Sequence, residues 1–285
     1  MGMRIVAAVL TLAPPASTQS EPQAGDAHEI TRSYQTESET TDGSSGSSNG
    51  RTSIVERVVR VDSDSVELEY DLPSSASADD RAREWQFPAR VLKPVNGPAQ
   101  LSNRPEIEAR IAVWLKAAGL TRADCGRWIF TWNAFRIECD PESVLATIEA
   151  YDLRSITLRD GAAYWEPGTR NPGTLTRSAN GPDGPTFTVT LQIDPDAVNR
   201  ARAESDVVTG EITRTPVTLE AAQRDRARQQ VSGTLSVTFE TNSAGDVQRR
   251  SAITKLETRR VDGETERETR TEITVRRAVV ADRGS

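Results

Sequence analysis

Chemistry in a protein needs groups that exchange protons, attack electrophiles or hold metals, and this chain supplies few. Of its 285 residues one is a histidine, His28. A Ser-His-Asp triad, a Cys-His pair or a His-ligated metal site each requires a well-placed imidazole. His28 follows the polar stretch STQSEPQAGDA, so a solvated side chain at the start of a strand is the expectation. Carboxylates are plentiful, as in Asp79-Asp80, Glu138-Asp140-Glu142 and Asp194-Asp196. Glycosidase-type hydrolysis needs two acids facing one cleft. Asp140 and Asp194 each precede a proline at a predicted helix start, where capping accounts for them. Asp62-Ser63-Asp64-Ser65 lacks the Gly and the later Glu of an EF-hand and reads as a turn. The lysines are Lys93, Lys116 and Lys255, and Lys116 sits near a predicted helix C-terminus, where it meets the helix dipole. No Gly-Lys-Ser/Thr follows DGSSGSSNG (42–50), which therefore reads as a mobile hairpin tip rather than a phosphate loop.

The densest chemical stretch is CGRWIFTWNAFRIEC, Cys125 to Cys139. It holds the only two cysteines and four of the fourteen aromatic residues. The close Cys-x-x-Cys spacing of a redox pair is missing. In an exported protein a disulfide is the simplest use of two cysteines at this spacing. Trp128, Phe130 and Trp132 alternate on one strand, Phe135, Ile137 and Cys139 on the next, with Asn133-Ala134 as the turn. Two readings follow for Trp128, Phe130, Trp132 and Phe135: an aromatic wall of a ligand pocket, or a core sheet under the flanking helices, since aromatics mainly supply buried area.

Composition excludes several function classes. A net charge of −7 argues against nucleic acid and anionic lipid, whose binders carry clustered positive surfaces. Thirty-two of the 35 basic residues are Arg, but they are spread along the chain and balanced by Asp and Glu, as genomic GC bias would leave them. The start, MGMRIVAAVLTLAPPAS, has Arg4 ahead of an apolar run from Ile5 to Ala13, too short to span a bilayer and shaped like a secretory signal. Ala16-x-Thr18 and Thr18-x-Ser20 are the candidate cleavage motifs. The expected location is periplasmic or secreted, with no transmembrane segment.

Strand periodicity dominates both ends. Ile30, Arg32, Tyr34 and Thr36 share one face, TSIVERVVRV follows, and then Val66, Leu68, Tyr70 and Leu72 alternate with acids, giving a three-stranded meander. Near the C-terminus Leu235, Val237 and Phe239 alternate, NSAGD turns, and Asp262-Gly263 signals a tight hairpin. Centring that hairpin on Asp262-Gly263 places Ala252 opposite Ile273 and puts Leu256, Ala252, Ile273 and Val275 on one face. The shared plan of the two meanders suggests a structural duplication. Between them, PEIEARIAVWLKAAG has the Pro start, Gly stop and apolar stripe Ile107, Ile111, Trp114, Leu115 of a core-facing helix. A short helix is expected over 78–85, another after Asp140-Pro141, a third after Asp194-Pro195, and an outer, charged one over 219–230.

The expected fold class is α+β: mainly antiparallel β-meanders at both ends with a helical, disulfide-clamped middle. The expected divisions are a signal-like, disordered 1–27 and an α+β domain over 28–285. Within it, 28–100 is the N-terminal meander, 101–165 helix-hairpin-helix, and 166–285 the C-terminal strands and helices. This order of elements resembles that of the bacterial lipoprotein-localisation carriers of the periplasm, in which a curved antiparallel sheet wraps helices. The chain is also similar to uncharacterised exported proteins of high-GC proteobacteria. The resemblance covers element order, contains no residue motif and implies no functional residues. The functional expectation is a non-enzymatic periplasmic protein that binds an apolar or amphipathic ligand or an envelope protein. No catalytic residue, metal or cofactor is assigned. A histidine-independent, carboxylate-based hydrolase is the alternative, and it requires two converging acids, one with a strongly raised pKa.

Overall fold

Alternating apolar and polar residues need a second strand for their backbone and a covering layer for their apolar face. The computed structural model, which describes residues 20–130, 134–178 and 183–279, supplies both. The N-terminal run forms β1 (Ala27–Thr40), β2 (Ser45–Val61), β3 (Ser65–Asp71), β4 (Ala89–Pro94) and β5 (Gln100–Leu101), with helix α1 (Ala78–Arg83) before β4. Helix α2 (Arg104–Ala117), strands β6 (Trp128–Phe130) and β7 (Ala134–Arg136), helix α3 (Ser143–Glu149) and strands β8 (Ala163–Tyr164) and β9 (Gly173–Thr174) follow. The chain continues through β10 (Thr176–Ser178), β11 (Thr186–Gln192), helices α4 (Pro195–Thr213) and α5 (Leu219–Arg226), then β12 (Gln230–Thr241), β13 (Val247–Arg259) and β14 (Thr265–Ala278). The signal-like run of 5–13 lies outside the described residues. Among the described residues no helix is long and apolar enough to cross a membrane.

The sheet order corrects the expected fold class. The two meanders are not held apart by a helical middle. They join edge to edge, β14 against β1, in one antiparallel sheet ordered β10-β11-β12-β13-β14-β1-β2-β3-β4-β5. The fold is mainly antiparallel β, and the helices are accessories laid on the sheet. The chain runs outward from the centre to one edge, crosses to the other edge, and returns to the centre. Both edge strands are short, which limits open pairing surface. The join escaped the sequence reading because its pairs are polar: Arg32 faces Thr274, Tyr34 faces Glu272, and Thr36 faces Arg270.

Two separate cores follow from this layout. One lies over β1–β4 and gathers Ile30, Leu68 and Val91 of the sheet with Ile107 and Ile111 of α2 and Val144 and Ile148 of α3. The other lies over β11–β13 and packs Phe187, Leu191, Val237 and Phe239 against Leu153 and Leu175. Between them runs a polar seam along β14 and β1.

Two local expectations also change. The hairpin tip shrinks: Ser45–Gly50 is part of β2, and only 41–44 turn. Gly50 is paired with Tyr34, whose ring lies over it, and a Cβ there would stand 2.5 Å from Tyr34 Cε1. The β13–β14 register is one residue off the expected one, since Ala252 faces Glu272 and Leu256 faces Glu268. The cause is Gly263, whose φ of +91° and N–H bond to the Arg260 carbonyl place a left-handed residue after a tight turn. That geometry makes a three-residue connection with a bulge instead of a two-residue one. Ile273 and Val275 therefore lie on the face opposite Ala252 and Leu256.

Candidate functional site: a charged pocket at the seam

Cys125 and Cys139 form the disulfide, with Cα atoms 5.7 Å apart. It closes the unit that carries β6 and β7, paired as Trp128 with Arg136, Ile129 with Phe135, and Phe130 with Ala134. The face turned to the first core is that of Ile129, Ile137 and Cys139. Trp128 lies on the other face and is half-buried, and Phe135 is 40% exposed. Phe130 is described only in its backbone, and Trp132 lies outside the described residues. Neither Trp128 nor Phe135 lines the seam cavity or the cavity beside α3.

The carboxylate runs mainly bond neighbouring backbone, apart from Glu142, which pairs with Arg104 of α2. Asp80 completes a capping box with Ser77 at α1, Glu138 accepts from the Cys139 and Asp140 amides, and Asp194 caps α4 through the Asp196 amide. Lys93 pairs with Asp152 at 2.6 Å in a cavity of about 460 Å³ beside α3. Among the described residues no group of three or more His, Cys, Asp or Glu is placed to hold a metal ion.

The cluster that the fold assembles is a different one. Strand pairing lines up Ala278, His28, Glu56 and Tyr70 in one row across β14, β1, β2 and β3. Arg276, two residues before Ala278, shares that face because side chains alternate with period two. Arg154 comes in from the segment after α3. Glu56 is 1% exposed and Arg276 6%. Oε1 of Glu56 accepts from Arg154 Nη2 at 2.9 Å, Arg154 Nε at 3.2 Å and Arg276 Nη2 at 3.1 Å. Its Oε2 accepts from the Tyr70 hydroxyl at 3.1 Å. Arg276 Nη2 also donates to His28 Nδ1 at 3.0 Å. A guanidinium has only donors, so Nδ1 is the accepting nitrogen and the proton sits on Nε2.

The ionisation states follow from this geometry. Burial alone would push the Glu56 carboxyl up, but the two guanidiniums and their hydrogen bonds outweigh it and hold the carboxyl below its usual range. Burial, and then the Glu56 charge, pushes the Tyr70 phenol up, so it stays protonated. Burial, helped by the charges of Arg276 and Arg154, pulls His28 below its free value of 6.5. His28 is thus half-buried and neutral at pH 7, not the solvated residue expected from its position.

With one carboxylate, two guanidiniums and a neutral imidazole, the cluster carries a net charge of +1 and is short of acceptors. Arg276 Nε is buried without a hydrogen-bond partner, an omission worth about 1–3 kcal/mol when a buried donor is left unmade. Arg154, Arg276 and His28 line a cavity of about 540 Å³, in the range of small-molecule sites. Val247 and Val279 add apolar wall, and Glu21, Asp26 and Asp246 add carboxylates. The segment from Ser20 to Asp26 straps one side. Its Ser20 amide and hydroxyl bond the two Asp246 oxygens at 3.0 and 2.7 Å, and the Gly25 amide bonds the Val58 carbonyl at 2.8 Å.

This arrangement can hold an anionic group. Glu56 is kept ionised, so it does not serve as a general acid, and His28 Nδ1 is engaged by Arg276. Sequence reasoning missed Glu56, Tyr70, Arg154 and Arg276. A signal was present for Glu56, a charge between Ile54 and Val58 on one strand face.

No family model matches the chain, and no curated protein matches it. Among solved structures it is similar to lipovitellin, described for its lipid–protein interactions, at 7% identity and a TM-score of 0.36. That likeness covers 93% of this chain and 27% of lipovitellin, so the chain spans about a quarter of its length. It is similar to an outer membrane channel from Pseudomonas putida F1 at 8% identity and a TM-score of 0.24, covering 94% of this chain and 100% of that one. It is similar to Ail, the attachment invasion locus protein of Yersinia pestis, at 5% identity and a TM-score of 0.13, covering 89% of this chain and 99% of that one. All three scores lie below 0.5, and no property of these proteins is carried over.

Proposed function

We propose that this chain is a non-enzymatic binding protein of the periplasm or secreted space that receives a small acidic molecule in the seam cavity. The observation that carries the reading is the acceptor-poor pair of buried Arg276 and half-buried Arg154 sharing the single carboxylate of Glu56 at the cavity. Such a cluster is an expensive way to stabilise a core, because burying charges costs several kcal/mol per ion. An anionic group beside Arg154 and Arg276 neutralises it. Val247 and Val279 leave room for an apolar body beside the acidic head, so an amphipathic ligand fits.

The test is titration calorimetry with hexanoate on the wild type and on Arg154→Gln. That substitution lowers the cluster's net charge from +1 to zero while keeping the Arg276–Glu56 pair. Saturable binding that weakens by about tenfold or more in the variant supports the reading. Equal binding by both proteins, or none by the wild type, refutes it. Mass spectrometry of material co-purified from native periplasm then identifies the natural occupant.

A further inference from the structure

The same cavity carries a second charge pattern. Its buried end is cationic, with Arg276 buried and Arg154 and His28 beside it. Its carboxylates are Glu21, which is exposed, and Asp26 and Asp246, which are half-buried. Asp246 is fully engaged by Ser20 and Asn242. Asp26 uses only Oδ2, which accepts from the Gln23 amide at 2.8 Å, and Glu21 makes no described side-chain bond. Among the described residues neither Glu21 nor Asp26 is in an ion pair, and both are more exposed than Arg276, so they repel a polyanion in this cavity. A molecule with one acidic and one basic end meets complementary charge at both, and Arg276, with a partnerless buried Nε, marks the acidic end.

We infer that the ligand is a zwitterion, an amino acid-like molecule whose carboxylate docks on Arg276 and Arg154 and whose ammonium docks on Asp26 and Glu21. This inference rests on the acidic-ligand reading and adds the basic group to it. The ammonium contact lies at the more exposed end, so its contribution is that of an exposed ion pair, about two- to fivefold in affinity.

The experiment compares 6-aminohexanoate with hexanoate on the intact protein by titration calorimetry at low salt. The wild type and the Glu21→Gln/Asp26→Asn double variant are both measured. Asn at 26 keeps an oxygen for the Gln23 amide, and a matching far-ultraviolet spectrum and melting temperature check the fold. The expected result is tighter binding of 6-aminohexanoate by about two- to fivefold in the wild type, with that advantage abolished in the double variant and hexanoate binding no weaker. Equal affinity for the two compounds in the wild type, or an advantage that survives in the double variant, overturns the zwitterion and leaves the acidic ligand standing. Binding of neither compound overturns both.

Discussion

The carboxylate of Glu56 and the guanidinium of Arg276 meet at 3.1 Å although 220 residues separate them in sequence. Glu56 stands on β2 and Arg276 on β14, so their bond reaches across β1 and ties together the two halves of the sheet.

Glu56→Gln keeps the shape and removes the charge, leaving two guanidiniums without a counter-ion. The expected loss is about 3–5 kcal/mol of unfolding free energy, as when one partner of a buried ion pair is removed. Urea denaturation at pH 7 measures it, and a loss below about 1 kcal/mol contradicts the central role given to this carboxylate. The pH dependence has a definite sign. The folded carboxyl titrates below its ordinary 4.5, so its contribution is present above that value and disappears as pH falls through the folded value. The variant lacks this acid phase.

His28 is the only histidine, the side-chain type whose ordinary pKa lies between pH 7 and 5, so comparison with a His28 variant reads its share of the stability there. Its folded pKa lies below the free 6.5, because of burial first and then Arg276. The unfolded chain therefore takes up a proton first as the solution is acidified. Stability is full above pH 6.5 and falls as pH drops from there toward the folded value. Melting temperatures recorded in steps from pH 8 to 5 reveal the decline in the wild type. His28→Asn makes the decline shallower, and identical curves for the two proteins would rule out the lowered folded pKa.

The Cys125–Cys139 bond closes a loop with a sequence separation of 14. The chain-entropy model gives such a loop about 3 kcal/mol. Replacing both cysteines by alanine is expected to lower unfolding free energy by that order. Thiol counting on denatured, unreduced protein should find none free.

Two strand glycines predict unequal losses. A Cβ at Gly233 would stand 2.3 Å from the Lys255 carbonyl oxygen, which belongs to the backbone and cannot step aside. At Gly50 the obstacle is the Tyr34 ring, itself 38% exposed and able to swing out. Gly233→Ala is expected to lower stability by about 1–3 kcal/mol or more, and Gly50→Ala by clearly less. The reverse order in chemical denaturation would contradict the close backbone approach at Gly233.

What the sequence disclosed follows the physics of each signal. The stripe Ile107, Ile111, Leu115 and the alternation Phe187, Val189, Leu191 are local patterns, and both elements form where their period requires. The disulfide was legible because the chain offers no other partner for either cysteine. The β14–β1 join was not, since polar pairs such as Tyr34 and Glu272 give no apolar face to match. The same holds for the site. Glu56, Arg154 and Arg276 come from three distant segments: the ladder of strand pairs brings Glu56 and Arg276 together, and the segment after α3 delivers Arg154. The β13–β14 register failed by a single residue, because Gly263 selects one turn type over another and so exchanges the faces of Ile273 and Ala252.

The placement of β14 beside β1 also bears on how the molecule comes to exist. During vectorial synthesis β1 emerges more than 220 residues ahead of the strand that completes its ladder. Until β14 arrives, one side of β1 is an open template for any passing strand. Pairing over such separations is slow. The interval before closure is therefore when the chain is most exposed to mispairing, and the opposite charges that face each other near the two ends of the join, Glu29 with Arg277 and Glu39 with Arg267, bias that choice toward the correct strand.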